Sequence, residues 1–196
     1  MSINLLDLVK DQVTGQLAKQ ASSFLGESES SVNSALSGMM PALLGSAIQK
    51  SRTGSGAQGL KDIIGKLDYG SLGDIAGLFE GGASSVNGLL NSGGDIVDAL
   101  LSNKAGGVID VITKLSGMKS GSAFSLLKLA APFLMGVIGN QIKGKGLSAL
   151  TDLLEAQKSF VNAALPAGLG SLLNFADVGS TTKVNTNIGN SVPTIS

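Results

Sequence analysis

The sequence has no cysteine, no histidine and no tryptophan. Without cysteine there is no disulfide framework, no thiolate nucleophile and no cysteine-based zinc site. Without histidine, Ser-His-Asp catalysis is removed, together with the commonest general base and the commonest transition-metal ligand. Aromatic side chains are few, six Phe and one Tyr. Charge is scarce too: 14% of residues are charged, against a usual share of about 25%. Fourteen basic and fourteen acidic residues cancel to a net charge of zero. That balance takes away the long-range attraction that nucleic acid or an anionic membrane surface requires. It also favours association near neutral pH.

What the chain does have is glycine, 28 of 196 residues, about twice the usual share. It also has an apolar stretch that occurs twice, SVNSALSGMMPALLGSAIQK at residues 31–50 and SAFSLLKLAAPFLMGVIGNQ at 122–141. Each carries a proline near its middle, Pro41 and Pro132, 91 residues apart. The same offset pairs Leu5-Leu6-Asp7 with Ile96-Val97-Asp98, Gly15 with Gly106, Phe24 with Leu115, Gly26 with Gly117 and Leu43 with Leu134. Downstream it slips by one, and Leu60, Asp62, Ile63 and Ile64 match Leu150, Asp152, Leu153 and Leu154. This period is longer than the roughly 20–50 residues of short-repeat solenoids. We expect an all-α fold made by tandem duplication of a multi-helix unit. The first repeat covers 1–68, a glycine-rich connector with short helices 69–94, the second repeat 95–176 and a polar tail 177–196.

Helical periodicity places the elements. Leu5, Val9, Val13, Leu17, Ala21 and Phe24 form one stripe of a helix over 3–25, capped by Ser2 and ended by Gly26. Ser28 starts a second helix that runs to residue 50, in which Pro41 removes a backbone donor and should kink or divide it. Residues 51–59 read as a Gly/Ser loop and 60–67 as a short helix. Short helical pieces are expected at 75–79 and 85–90, then helices at 95–103, 107–115, 122–143 and 147–165, with Gly106 and Gly107 splitting what is one helix in the first copy. Pro166 stops the last long helix, and a turn or two follows over 169–175. The last segment, DVGSTTKVNTNIGNSVPTIS, has no helical period. It fits a tail, or an arm whose Val184, Thr186 and Ile188 alternate like an edge strand.

The motifs are weak. Residues 54–59 fit G-x-G-x-x-G, but a helix precedes them where the dinucleotide fingerprint needs a strand. The second copy has only Gly144-Lys145-Gly146 there. Ser116–Lys119 and Ser125–Lys128 fit S-x-x-K, without the S-D-N and K-T-G partners of acyl-transfer enzymes. The acids are scattered; the matched pair Asp7 and Asp98 is expected at helix starts, where a negative charge is favourable. Among the basic residues, Lys143 and Lys145 are the densest pair, with no aromatics between them. The N-terminus MSINLLDLVKDQ lacks the basic flank, apolar core and cleavage site of a secretory signal. The most apolar window, 123–139, is about 17 residues, at the short edge of a membrane span, and contains Lys128 and Pro132.

Residues 5–50, LLDLVKDQVTGQLAKQASSFLGESESSVNSALSGMMPALLGSAIQK, and GAQGLKDIIGKLD at 56–68 resemble a bacterial family of uncharacterised helical proteins, a domain of unknown function related to the YidB-like proteins. The resemblance continues through ASSVNGLLNSGG and KAGGVIDVITKLSGMKSGSA to LPAGLGSLLNF, covering about residues 1–175. It implies an all-helical protein without catalytic residues. In that family the module is often followed by a membrane helix and an OmpA-like peptidoglycan-binding domain, whereas this sequence ends in the polar tail.

From these features we expect a non-enzymatic structural or interaction protein that self-associates into a homo-oligomer, an ordered ring, tube or filament. The alternative is a membrane- or cell-envelope-linked adaptor. No catalytic, cofactor-binding or metal-ligating residue is assigned, no cofactor, no nucleic acid, no small-molecule substrate and no membrane span. The expected location is the cytoplasm.

Overall fold

Asn4, not Ser2, caps the first helix: its side-chain oxygen accepts from the backbone N–H groups of Leu6 and Asp7 at 3.0 and 3.4 Å. The computed structural model describes residues 3–67, 72–166 and 168–173, so Ser2, Tyr69 and the tail from 177 lie outside the described residues. Helix α1 (Leu5–Val9) passes into a π-helical turn (Lys10–Thr14) and on into α2 (Gly15–Leu25). The stripe of residues explains that turn. Leu5, Val9, Val13, Leu17 and Ala21 are spaced by four and all buried. Four steps of four residues would drift about 160° around an ideal α-helix. A turn with i→i+5 bonding absorbs the surplus and keeps the stripe on one face. The Thr14 hydroxyl supports it by donating to the Val9 carbonyl at 3.4 Å.

Gly26 then takes φ +71°, and its N–H bonds the Ser22 carbonyl. Ser28 caps α3 (Glu29–Ser51), and Thr53 caps α4 (Gly54–Gly65). After α5 (Ile75–Glu80) and α6 (Ala83–Leu101), a 3-10 turn (Ser102–Lys104) leads into α7 (Ala105–Ser116). Gly117, at φ +79°, precedes α8 (Ser120–Gln141), followed by α9 (Leu147–Ala156), α10 (Lys158–Ala164) and the single turn α11 (Leu169–Leu172). No strand occurs among the described residues, and the fold is all-α.

Helices α3 and α8 form the centre. Residues 38–48 of α3 and 129–139 of α8 are buried without a break. A helix covered on all sides belongs inside the molecule, and the others wrap these two. Helix α3 is packed by α2, α4, α6, α7, α9 and α10; α8 by α1, α2, α4, α6 and α7. Outer helices from each half of the sequence therefore cover the central helix of the other half, and a single hydrophobic cluster runs through both. Pro41 and Pro132 lie inside α3 and α8, each twelve residues after the first residue of its helix. Neither divides its helix.

Positions 91 apart share their environment. Leu17 and Val108, Ala21 and Ile112, Leu36 and Leu127, and Leu43 and Leu134 are all fully buried, whereas Phe24 and Leu115 are both exposed, at 44% and 46%. Gly26 and Gly117 both end their helices in the left-handed region.

Several boundaries differ from those expected. The loop over 51–59 closes at Gly54, where Thr53 starts α4. The separate pieces at 85–90 and 95–103 are one helix, α6, which runs straight through position 94. A Cβ on Gly93 would overlap the Lys128 carbonyl oxygen, so the glycine that reads as a break is the point where α6 lies against α8. The break expected at Gly106 and Gly107 comes instead at Ser102 (φ +49°), and both glycines are helical. Asp98 is consequently far inside α6, and helix-start electrostatics apply to Asp7 alone.

The expected helix 147–165 breaks at Gln157, the buried polar side chain with the longest reach. Its Oε1 accepts from the Leu5 N–H at 2.8 Å, and its Nε2 donates to the carbonyls of Ile3 at 2.7 Å and Leu153 at 3.2 Å. It satisfies the start of α1 from the far end of the chain.

Two predictions follow the packing. Gly93→Ala should destabilise by about 1–3 kcal/mol through overpacking, whereas Gly88→Ala in the same helix, with nothing within 4 Å of its added Cβ, should stabilise by about 0.5–1 kcal/mol; urea unfolding compares them. Gln157→Leu should cost roughly 2–4 kcal/mol by orphaning the Leu5 N–H and the Ile3 carbonyl, and hydrogen exchange should show the Leu5 amide losing protection first.

Candidate functional site

The π-turn places Lys10 and Thr14 on the side of the N-terminal helix that faces the exposed residues Asn33 and Ser37 of α3. Between them lies a groove of about 410 Å³. Its floor is Leu6, Leu36, Met40 and Pro41; Asp7, Lys10, Thr14, Asn33 and Ser37 give it a polar rim, and Ala164 at the end of α10 closes one side. Leu36 and Met40 are buried while Asn33 and Ser37 are exposed, so the groove is a wetted edge of the core. Pro41 has no N–H, and the carbonyl four residues earlier, that of Ser37, loses its helical donor. The Ser37 hydroxyl is turned back to the Ser34 carbonyl at 2.7 Å. The groove thus combines an apolar floor with a polar rim.

None of these residues stood out as a site in the sequence. Asn33, Ser37 and Pro41 sit on one element and Leu6, Lys10 and Thr14 on another, and only the facing of the two helices makes a groove. The π-turn left one trace, the unbroken spacing of four in the stripe 5-9-13-17-21.

A second feature joins distant lysines. Lys61 of α4 lines a small cavity of about 160 Å³ together with Lys143 and Lys145 beyond α8. The densest basic pair of the sequence gains a third cation from the first half of the chain. The ion pairs that do form lie elsewhere, Arg52 with Glu155 at 3.3 Å and Lys158 with Glu155 at 3.9 Å.

The weak motifs fall into ordinary helical roles. Gly54–Gly59 is the first part of α4, where Thr53 Oγ1 accepts from the Gly56 N–H at 3.0 Å. A Cβ on Gly56 would overlap the Lys50 carbonyl oxygen, so this glycine serves helix contact and not a phosphate. Ser116 Oγ donates to the Ile112 carbonyl at 2.8 Å and accepts from the Met118 N–H at 3.2 Å, closing the end of α7. Lys128 stands over the Phe124 ring, 4.4 Å from its centroid. Among the described residues no three acids lie close enough to share a metal ion. Helix α8 is the one described helix long and apolar enough to cross a membrane, and 72% of its apolar window is buried inside the fold.

Residues 7–141, from the first turn of α1 to the end of α8, match the model of a family described as bacterial protein of unknown function (DUF937). The chain belongs to this family. The matched region contains both central helices, the π-turn and all of the groove except Leu6 and Ala164. Neither a curated protein nor a solved structure matches the chain.

The helical reading of the glycine motif is open to test. Gly54→Ala has free space for its Cβ and should raise stability by a few tenths to about 1 kcal/mol, whereas adding NAD or ATP to the wild-type chain should leave its melting temperature unchanged. Thermal denaturation followed by circular dichroism measures both.

Proposed function

We propose that the protein is a non-enzymatic interaction protein that self-associates. The observation that carries this is the end of the molecule where α2 and α7 terminate. Phe24 and Leu115, two of the few large apolar side chains left exposed, lie two residues before the turn glycines Gly26 and Gly117. The Glu27 carboxylate accepts from the Lys119 N–H at 3.3 Å and ties the two turns together. Phe124, 38% exposed, follows one turn into α8. Phe79 meets Phe24 edge to face, with ring centroids 6.0 Å apart. Exposed apolar side chains beside these tied turns, on a chain of zero net charge, favour contact with a second copy.

Internal duplication belongs to the same proposal. It is supported by the shared burial of positions 91 apart and by the matching places of Pro41 and Pro132. The two apolar central helices cover each other, and Gly38 and Gly93 serve contacts inside the fold. Self-association therefore falls to the surface left exposed, above all the paired helix ends. Location in the cytoplasm is part of this reading. Kinship with the YidB-like proteins, and with it an envelope adaptor joined to an OmpA-like domain, rests on the sequence resemblance; the gene neighbourhood of relatives is the observation that would favour it.

Light scattering over a concentration series tests the proposal. The wild-type chain should show a mass above 19.6 kDa that rises with concentration. The double variant Phe24→Ser, Leu115→Ser should shift association to concentrations at least about tenfold higher, roughly 1.4 kcal/mol. A wild-type mass of one chain at every concentration would refute it.

A further inference from the structure

Lysines from two separate parts of the chain meet at one small cavity, and among the described residues no acid lines it. Lys61 comes from α4, and Lys143 and Lys145 come from the turn between α8 and α9. The packing of α4 on both α8 and α9 brings them together. Ile64 and Ile142, both buried, give the cavity its apolar wall. Its volume of about 160 Å³ is room for several waters or for one group of phosphate size.

The turn fixes two of the three cations. The Lys145 N–H donates to the Ile142 carbonyl at 2.8 Å, and Gly144, between the two lysines, takes φ +75°. A left-handed residue at that place in a tight turn calls for glycine. It also leaves the space between the lysines open, since a Cβ on Gly144 would meet nothing within 4 Å.

The fold does not use these ammonium groups itself. Helices α4 and α8 both end at the cavity, and helix C-terminal ends attract cations. Yet the carbonyls there already have backbone donors: that of Ile63 accepts from the Lys66 N–H, and those of Ile138 and Gly139 accept from the Ile142 N–H. Among the described residues none of the three ammonium groups has an ion-pair or hydrogen-bond partner. Asp62, the neighbour of Lys61, accepts from Gln58 Nε2 at 3.0 Å along α4 and does not line the cavity. Three like charges around one cavity repel each other, and a multivalent anion relieves that repulsion.

We infer that this cavity binds a phosphate group carrying two negative charges, the end of a phosphomonoester or of pyrophosphate. Lysine is a compact point charge with rotatable donors, so three of them select for charge and size. A carboxylate is better matched by the planar fork of arginine, and the chain's one arginine, Arg52, is paired with Glu155. The cavity is separate from the exposed helix ends to which self-association is assigned, and its ligand does not depend on that reading. The same doubly charged group occurs on free phosphates and on the headgroup of phosphatidic acid, and two arms of one experiment separate these sources.

In the first arm, full-length protein is titrated with sodium pyrophosphate in a calorimeter at fixed ionic strength. Saturable binding is expected, weakening as salt is raised, whereas acetate should not bind. Changing Lys61→Gln, Lys143→Gln and Lys145→Gln together should weaken binding by about tenfold or more. Lys19→Gln and Lys114→Gln, which alter exposed lysines on α2 and α7, should leave it unchanged. Circular dichroism confirms that the variants fold. In the second arm, the protein is floated with phosphatidylcholine vesicles with and without phosphatidic acid. Retention by phosphatidic acid that the triple variant loses would support the inference with the group on a lipid; pyrophosphate binding without retention would support it with a free phosphate. Binding of neither probe, equal binding of acetate, or binding that the triple variant keeps would overturn it.

Discussion

Everything in this molecule depends on covering two apolar helices that contain proline. Helices α3 and α8 are buried on all sides over eleven consecutive residues each, and no single neighbour can enclose a helix of that kind. Several must, and the chain provides them by crossing over: α7 and α9 from the second half lie on α3, and α1, α2 and α4 from the first half lie on α8. Burial of apolar surface, at roughly 25 cal/mol per Å², is what makes the arrangement stable. It is shared so thoroughly that neither half encloses a core of its own.

The prolines add a second constraint to the same helices. A carbonyl without a helical donor in a crowded interior must meet something small. At Lys128 it meets Gly93. The constraint thus accounts for a close contact between α6 and α8.

Charge plays a minor part. Among the described residues, Arg52–Glu155 and Lys158–Glu155 are partly exposed ion pairs, and pairs of that kind contribute little. The polar interactions that matter are buried or local. Gln157 fastens Leu5 and Ile3 to the far end of the chain, and Asn4, Ser28, Thr53 and Asp74 satisfy the open N–H groups of helix starts. Three of those four caps fall at a boundary between polar and periodic sequence. Gln157 has no local signal at all.

The sequence by itself determined the helical class, the buried proline helix α8, the turn glycines Gly26 and Gly117, and the stripe of the N-terminal helix apart from Phe24, which is exposed. All of these are local, because apolar spacing and left-handed backbone preference act within a few residues. Only the tertiary structure decided which glycines break helices and which sit inside them. Gly54, Gly56, Gly93 and Gly107 look like loop formers, yet each is helical, and for Gly56 and Gly93 the reason is a neighbouring carbonyl too close to admit a Cβ. The break at Gln157, the meeting of Lys61 with Lys143 and Lys145, and the groove over Pro41 were decided in the same way. Each is made by residues tens to more than a hundred positions apart, and the spacing of side chains along one helix carries no record of what another helix will bring against it.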